Sequence, residues 1–129
     1  MKIEHLALQV SDPVKMADWY GRHLGFSVAR SGGGPAHARF LLEKAGTVML
    51  EIYHNPEVLV PDYKSLDPQM LHLAFWSADP EIDRDRLVSE GATVANHFAS
   101  NDAGDQFVML RDPWGLPIQL VKRAVPMLH

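Results

Sequence analysis

The chain has 129 residues, 47% of them hydrophobic and 22% charged, the proportions of one globular domain with an ordinary core. It contains no cysteine, which excludes thiolate zinc sites, thiol nucleophiles and disulfide frameworks. A net charge of −4 and twelve scattered basic residues argue against a nucleic-acid partner or a polybasic membrane surface.

A short apolar run opens the chain at Met1-Lys2-Ile3 with no signal-peptide pattern behind it. No stretch approaches the roughly 20 apolar residues of a membrane span, so a cytoplasmic protein is expected. A strand of alternating character is predicted over residues 3–10. Asp12 then suits a helix cap, with Pro13 at the first helical position, where a missing N–H costs nothing. The helix is predicted over 13–24, ended by Gly25 as a left-handed residue. Three strands follow near 26–30, 37–43 and 47–54. Ser31-Gly32-Gly33-Gly34-Pro35 between the first two has neither dinucleotide-binding nor Walker spacing and reads as a plain loop. Residues 55–70, with three prolines, read as a linker. Beyond it come a strand over 71–77, a helix over 80–90 entered by Asp79-Pro80 and left by Gly91, and strands near 92–98, 106–111 and 117–123.

The second series repeats the first. His5-Leu6-Ala7-Leu8-Gln9-Val10-Ser11-Asp12-Pro13 aligns with His72-Leu73-Ala74-Phe75-Trp76-Ser77-Ala78-Asp79-Pro80, with five of nine positions identical. At nearly the same offset Gly25 meets Gly91 and Phe40 meets Phe107. Registered over this length, the match implies an internal duplication. The expected architecture is α+β: two tandem βαβββ modules, about 1–54 and 71–124, forming an eight-stranded open pseudo-barrel with helices outside, within a single domain.

Strand side chains alternate between faces. Leu6, Leu8 and Val10 oppose His5, Ala7 and Gln9. Val48, Leu50 and Ile52 oppose Glu51, and Leu73 and Phe75 oppose His72. Ile118 and Leu120 oppose Gln119. His5 and His72 are equivalent in the repeat, and Glu51 and Gln119 are equivalent apart from a one-residue slip. Two imidazoles and two oxygen donors on the non-core faces suit a divalent transition metal: Ni²⁺, Co²⁺, Zn²⁺, Mn²⁺ or Fe²⁺. His23, His37, His54, His97 and His129 have no such pattern behind them.

The paired His-Leu-Ala strands, Trp19-Tyr20-Gly21-Arg22-His23-Leu24-Gly25-Phe26 and Arg111-Asp112-Pro113-Trp114-Gly115-Leu116-Pro117-Ile118-Gln119-Leu120 resemble the vicinal oxygen chelate superfamily. That group includes glyoxalase I, methylmalonyl-CoA epimerase, extradiol dioxygenases and bleomycin and fosfomycin resistance proteins. The resemblance covers nearly the whole chain. It implies metal ligands at His5, Glu51, His72 and Gln119, a small-molecule substrate with adjacent oxygens, and a homodimer. It also implies a lyase or isomerase of glyoxalase or epimerase type, in which the metal holds an enolate oxygen. The final ligand departs from the glutamate usual in the family, leaving Glu51 as the one anionic ligand and the proton carrier. Two other readings follow: an Fe²⁺ ring-cleaving dioxygenase, or a metal-free small-molecule or drug-binding protein lined by Trp76, Tyr53, Met49 and Trp114. Arg22, Arg30, Arg39 and Arg111 are open as anion clamps.

Overall fold

The computed structural model describes residues 1–128, so His129 lies outside the described residues. The chain divides into two compact units, Met1–Pro61 and Asp62–His129, each carrying one βαβββ module. No helix among the described residues is long and apolar enough to cross a membrane.

In the first unit, β1 (His5–Gln9) leads into α1 (Pro13–Leu24), followed by β2 (Ser27–Ser31), β3 (Arg39–Leu42) and β4 (Met49–Tyr53). The Asp12 side chain accepts from Lys15 N at 3.0 Å, satisfying one of the orphan donors of the first turn. Gly25, at φ 76°, closes the helix in the left-handed conformation that an L side chain resists. The sheet order is β1-β4-β3-β2, with β1 parallel to β4 and the other pairs antiparallel. Helix α1 packs on β2, β3 and β4. Met16 and Tyr20 from the helix and Leu8, Leu41, Leu50 and Ile52 from the sheet are buried there. This is the apolar face expected from alternation, although Leu6, at the start of β1, stays 47% exposed.

The second unit repeats the plan with β5 (Leu73–Trp76), α2 (Pro80–Ser89), β6 (Thr93–Ser100), β7 (Gln106–Arg111) and β8 (Pro117–Lys122). Its sheet order, β5-β8-β7-β6, is the same as the first. Asp79 accepts from Ile82 N at 3.1 Å, as Asp12 does in the first module. Leu87, Val108, Leu110, Ile118 and Leu120 form the buried face.

Between Tyr53 and Leu73 there is no helix or strand, as the prolines predict, and two side chains pin this segment. Gln9, 8% exposed, donates to Asn55 O and Val58 O and accepts from Asn55 N. Arg111 donates to Tyr63 O and Leu66 O, and again to Gly115 O. The Asp-Pro-Trp-Gly turn before β8 is organised by buried Asp112, which accepts from Trp114 N and Leu116 N, both at 2.9 Å.

Candidate functional site

Cross-strand register locates the polar face of each module. In the first, Arg30 pairs with Phe40, Phe40 with Glu51, and Glu51 with Ala7, so these four lie side by side on one face. In the second, Asn96 pairs with Met109, Met109 with Gln119, and Gln119 with Ala74. The rows are equivalent position by position. Glu51 and Gln119 each stand beside the alanine two residues beyond the histidine, so the apparent one-residue slip is absorbed in the loops. Phe40 corresponds to Met109 and not to Phe107, a correction to the alignment read from identity alone.

Both rows depend on a bulge. The register of β2 on β3 runs Val28 to Leu41 and then Arg30 to Phe40, leaving Ala29 as the extra residue. In β6 the register passes from Val94 to Asn96, and Ala95 is the extra one. A bulge re-aims the side chains beyond it. Without the first, Arg30 would share a rung with Arg39 and point to the opposite face.

His5 opens β1 two residues before Ala7, on the Glu51 face. Its Nδ1–H donates to the Glu4 carboxylate, and its Nε2 lies 3.3 Å from Glu51 Oε2. Phe40 meets the ring edge-on, with centroids 5.6 Å apart. The hydrogen bond that His5 donates to Glu4 raises the His5 pKa above the ordinary imidazole value; desolvation opposes this, while the charges of Glu4 and Glu51 add to it. His72 lies one residue before β5, half-buried, and its Nδ1–H donates to Pro68 O at 2.7 Å. A carbonyl can only accept, so the lone pair of His72 is on Nε2. Each module histidine is thus held through Nδ1 by an oxygen acceptor, the outer-shell arrangement that presents Nε2 to a metal.

Two polar atoms in the first module have the spacing of neighbouring metal donors. Two neighbouring donor atoms, each about 2.1 Å from a metal, lie about 3.0 Å apart in an octahedron and about 3.4 Å apart in a tetrahedron. The 3.3 Å separation of His5 Nε2 and Glu51 Oε2 falls within that span. In the second module, His72 and half-exposed Gln119 hold the equivalent positions, and no hydrogen bond joins them. Among the described residues, no group of three or more His, Asp, Glu or Cys side chains is gathered to hold a metal.

Three of the remaining histidines have structural roles of their own. His54 Nδ1 donates to Val10 O at 2.9 Å, His23 packs on Trp19, and His37 occupies a turn at φ 47°. Of the four arginines open as anion clamps, three are engaged elsewhere. Arg22 pairs with Asp18, Arg39 donates to three carbonyls of its own loop, and Arg111 secures the linker. Strict alternation assigns Glu4 to the opposite face, and its contact with His5 emerges only in the structure. His5 is the first residue of its strand, so Glu4 escapes that rule. A carboxylate next to a candidate histidine ligand was the available signal.

The family model described as Glyoxalase/Bleomycin resistance protein/Dioxygenase superfamily matches residues 2–120, and the chain belongs to this superfamily. Solved structures agree on the fold. SMU.1112c is 30% identical with a TM-score of 0.72, the match covering 95% of this chain and 98% of that one. A glyoxalase family protein from Enterococcus faecalis is 28% identical with a TM-score of 0.68, covering 94% and 97%. TnmS3, an antibiotic binding protein from Streptomyces sp. CB03234, shares the fold at 21% identity and a TM-score of 0.69, covering 96% and 97%. No curated protein matches the chain.

Proposed function

We infer that the protein is a divalent-metal-dependent lyase or isomerase of glyoxalase or epimerase type, with His5, Glu51, His72 and Gln119 as metal ligands. The observation that carries this reading is the orientation of His5, with Nδ1 tied to Glu4 and Nε2 turned to Glu51 Oε2 at 3.3 Å. The matching Nδ1 anchor of His72 and the matching register of Gln119 support it. A bound divalent ion would supply Lewis acidity toward adjacent substrate oxygens. The chain's own part is proton transfer. With Oε2 turned to His5, Glu51 has Oε1 left to take a proton from the carbon beside a substrate carbonyl and return it to another carbon or face. Phe40 packs edge-on against the His5 ring beside this pair. Assembly as a cytoplasmic homodimer belongs to the same reading and is checked by light scattering. Metal analysis after loading with Ni²⁺, Co²⁺, Zn²⁺, Mn²⁺ or Fe²⁺ tests the whole. About one equivalent per chain is expected, and less than about a tenth would overturn it.

A second reading, a metal-free binder of flat small molecules, is favoured by Trp76. This indole is 70% exposed and lies on the same face as Ala74 and Gln119. Quenching of tryptophan fluorescence by an aromatic ligand after chelator treatment, lost in Trp76→Ala, would promote it over the enzyme.

A further inference from the structure

The chain has seven arginines, and six of them are engaged with oxygen acceptors. Arg22, Arg84, Arg86 and Arg123 pair with carboxylates, while Arg39 and Arg111 donate to carbonyls. Arg30 differs. Among the described residues it meets neither carboxylate nor carbonyl, and its guanidinium lies over the Phe40 ring, 6.0 Å from the centroid. Phe40 in turn meets the His5 ring edge-on. A row of side chains therefore runs from an unpaired cation, across one aromatic ring, to the His5–Glu51 pair.

Its position follows from the Ala29 bulge, which delivers Arg30 to the rung of Phe40 and Glu51. The duplicate module has the same bulge and delivers Asn96, a neutral amide, to the rung of Gln119. The bulge is thus a property of the fold, whereas the charge on it is particular to the module with the carboxylate. Stacking on Phe40 limits the motion of the side chain and leaves the N–H fork free for a planar anion. Arg30 and Glu51 are two strands apart, roughly 10 Å between backbones. That spacing suits a substrate whose anionic group lies a few bonds from its reacting carbonyl.

We propose that Arg30 is the anchor for a carboxylate on the substrate, making the substrate an anionic oxo acid whose charged end lies over β2 and whose reacting end meets His5 and Glu51. This rests on the metal-enzyme reading of the same face. Co²⁺-loaded and metal-free protein are each titrated by calorimetry with 2-oxoglutarate and with 2-oxopentanoate, in which a methyl group replaces the distal carboxylate. The loaded wild-type protein should bind the diacid about tenfold more tightly, the worth of one charge-assisted contact. Arg30→Gln should lose that preference with its cobalt content unchanged, and Arg30→Lys should keep part of it. Equal affinities in the wild type, a preference that survives Arg30→Gln, or no binding of either acid overturns the assignment. If cobalt is not retained but metal-free protein shows an Arg30-dependent preference for the diacid, the metal reading fails and Arg30 stands. If cobalt is retained with no preference between the acids, the metal reading stands and Arg30 is not the anchor.

Discussion

His5 Nε2 and Glu51 Oε2 face each other at 3.3 Å from strands that run parallel, with His5 registered two residues before Glu51 along the pair. This diagonal placement brings an imidazole and a carboxylate together without a turn or loop holding either. Glu51→Gln would give the first module the His-plus-amide pair of the second and remove the carboxylate proposed as the anionic ligand. Affinity for Co²⁺ or Ni²⁺ should fall by about tenfold or more, with turnover abolished and the fold retained. Unchanged affinity in a metal titration would remove Glu51 from the ligand set.

Glu4 is exposed and touches the site only through His5 Nδ1. In metal sites, removing a carboxylate that holds a ligating histidine costs about 10–100-fold in metal affinity. Glu4→Ala should show a loss in that range while the thermal midpoint of the metal-free protein stays put. A midpoint that falls together with affinity would mean that Glu4 serves the fold.

The Asp-Pro-Trp-Gly turn tolerates no side chain at its glycine. Gly115 sits at φ 92°, and a Cβ there would meet Lys64 Cγ and, at 2.8 Å, Lys64 N. Gly115→Ala combines left-handed strain with a backbone clash and should cost about 2–4 kcal/mol in urea unfolding. A loss below about 1 kcal/mol would show that the 63–66 segment moves aside freely.

Glu43 governs the acid behaviour of the β3–β4 turn. The Thr47 hydroxyl, followed by the backbone N–H groups of Thr47, Ala45 and Val48, lowers its pKa to about 2. A carboxylate depressed on folding stabilises fully above its unfolded value, and the contribution disappears as pH falls through the folded one. The turn should therefore be intact above the ordinary value of 4.5 and loosen between there and about 2. A carboxyl titration by NMR checks this: Thr47→Val should move the Glu43 midpoint upward, and no movement would reassign the cause.

Much of this was legible in the sequence because duplication and strand alternation constrain it twice over. The helices begin at Pro13 and Pro80 as the Asp-Pro pairs predict, since cap and fixed φ act locally. Alternation assigned His5, Glu51 and Gln119 to the polar face, and register agrees. Identity pairs Phe40 with Phe107 where register pairs it with Met109, because a fixed offset cannot see loops of unequal length between paired strands. Nor could parity see the bulges at Ala29 and Ala95, where two residues on one strand answer to one on the next. Gln9 and Arg111 escaped for another reason. Their partners are backbone carbonyls about 45 residues away, which carry no sequence signal.

The paired bulges also carry a history. An extra residue at the same rung of both modules is most simply inherited from the single ancestral unit, so it is older than the duplication. The outward position was then available twice, and the two copies diverged there into a cation and an amide. Once two copies differ at that position, they are no longer interchangeable. A guanidinium brings a fixed positive charge to that rung where an amide brings only hydrogen-bonding groups, so the first module alone offers a full charge there.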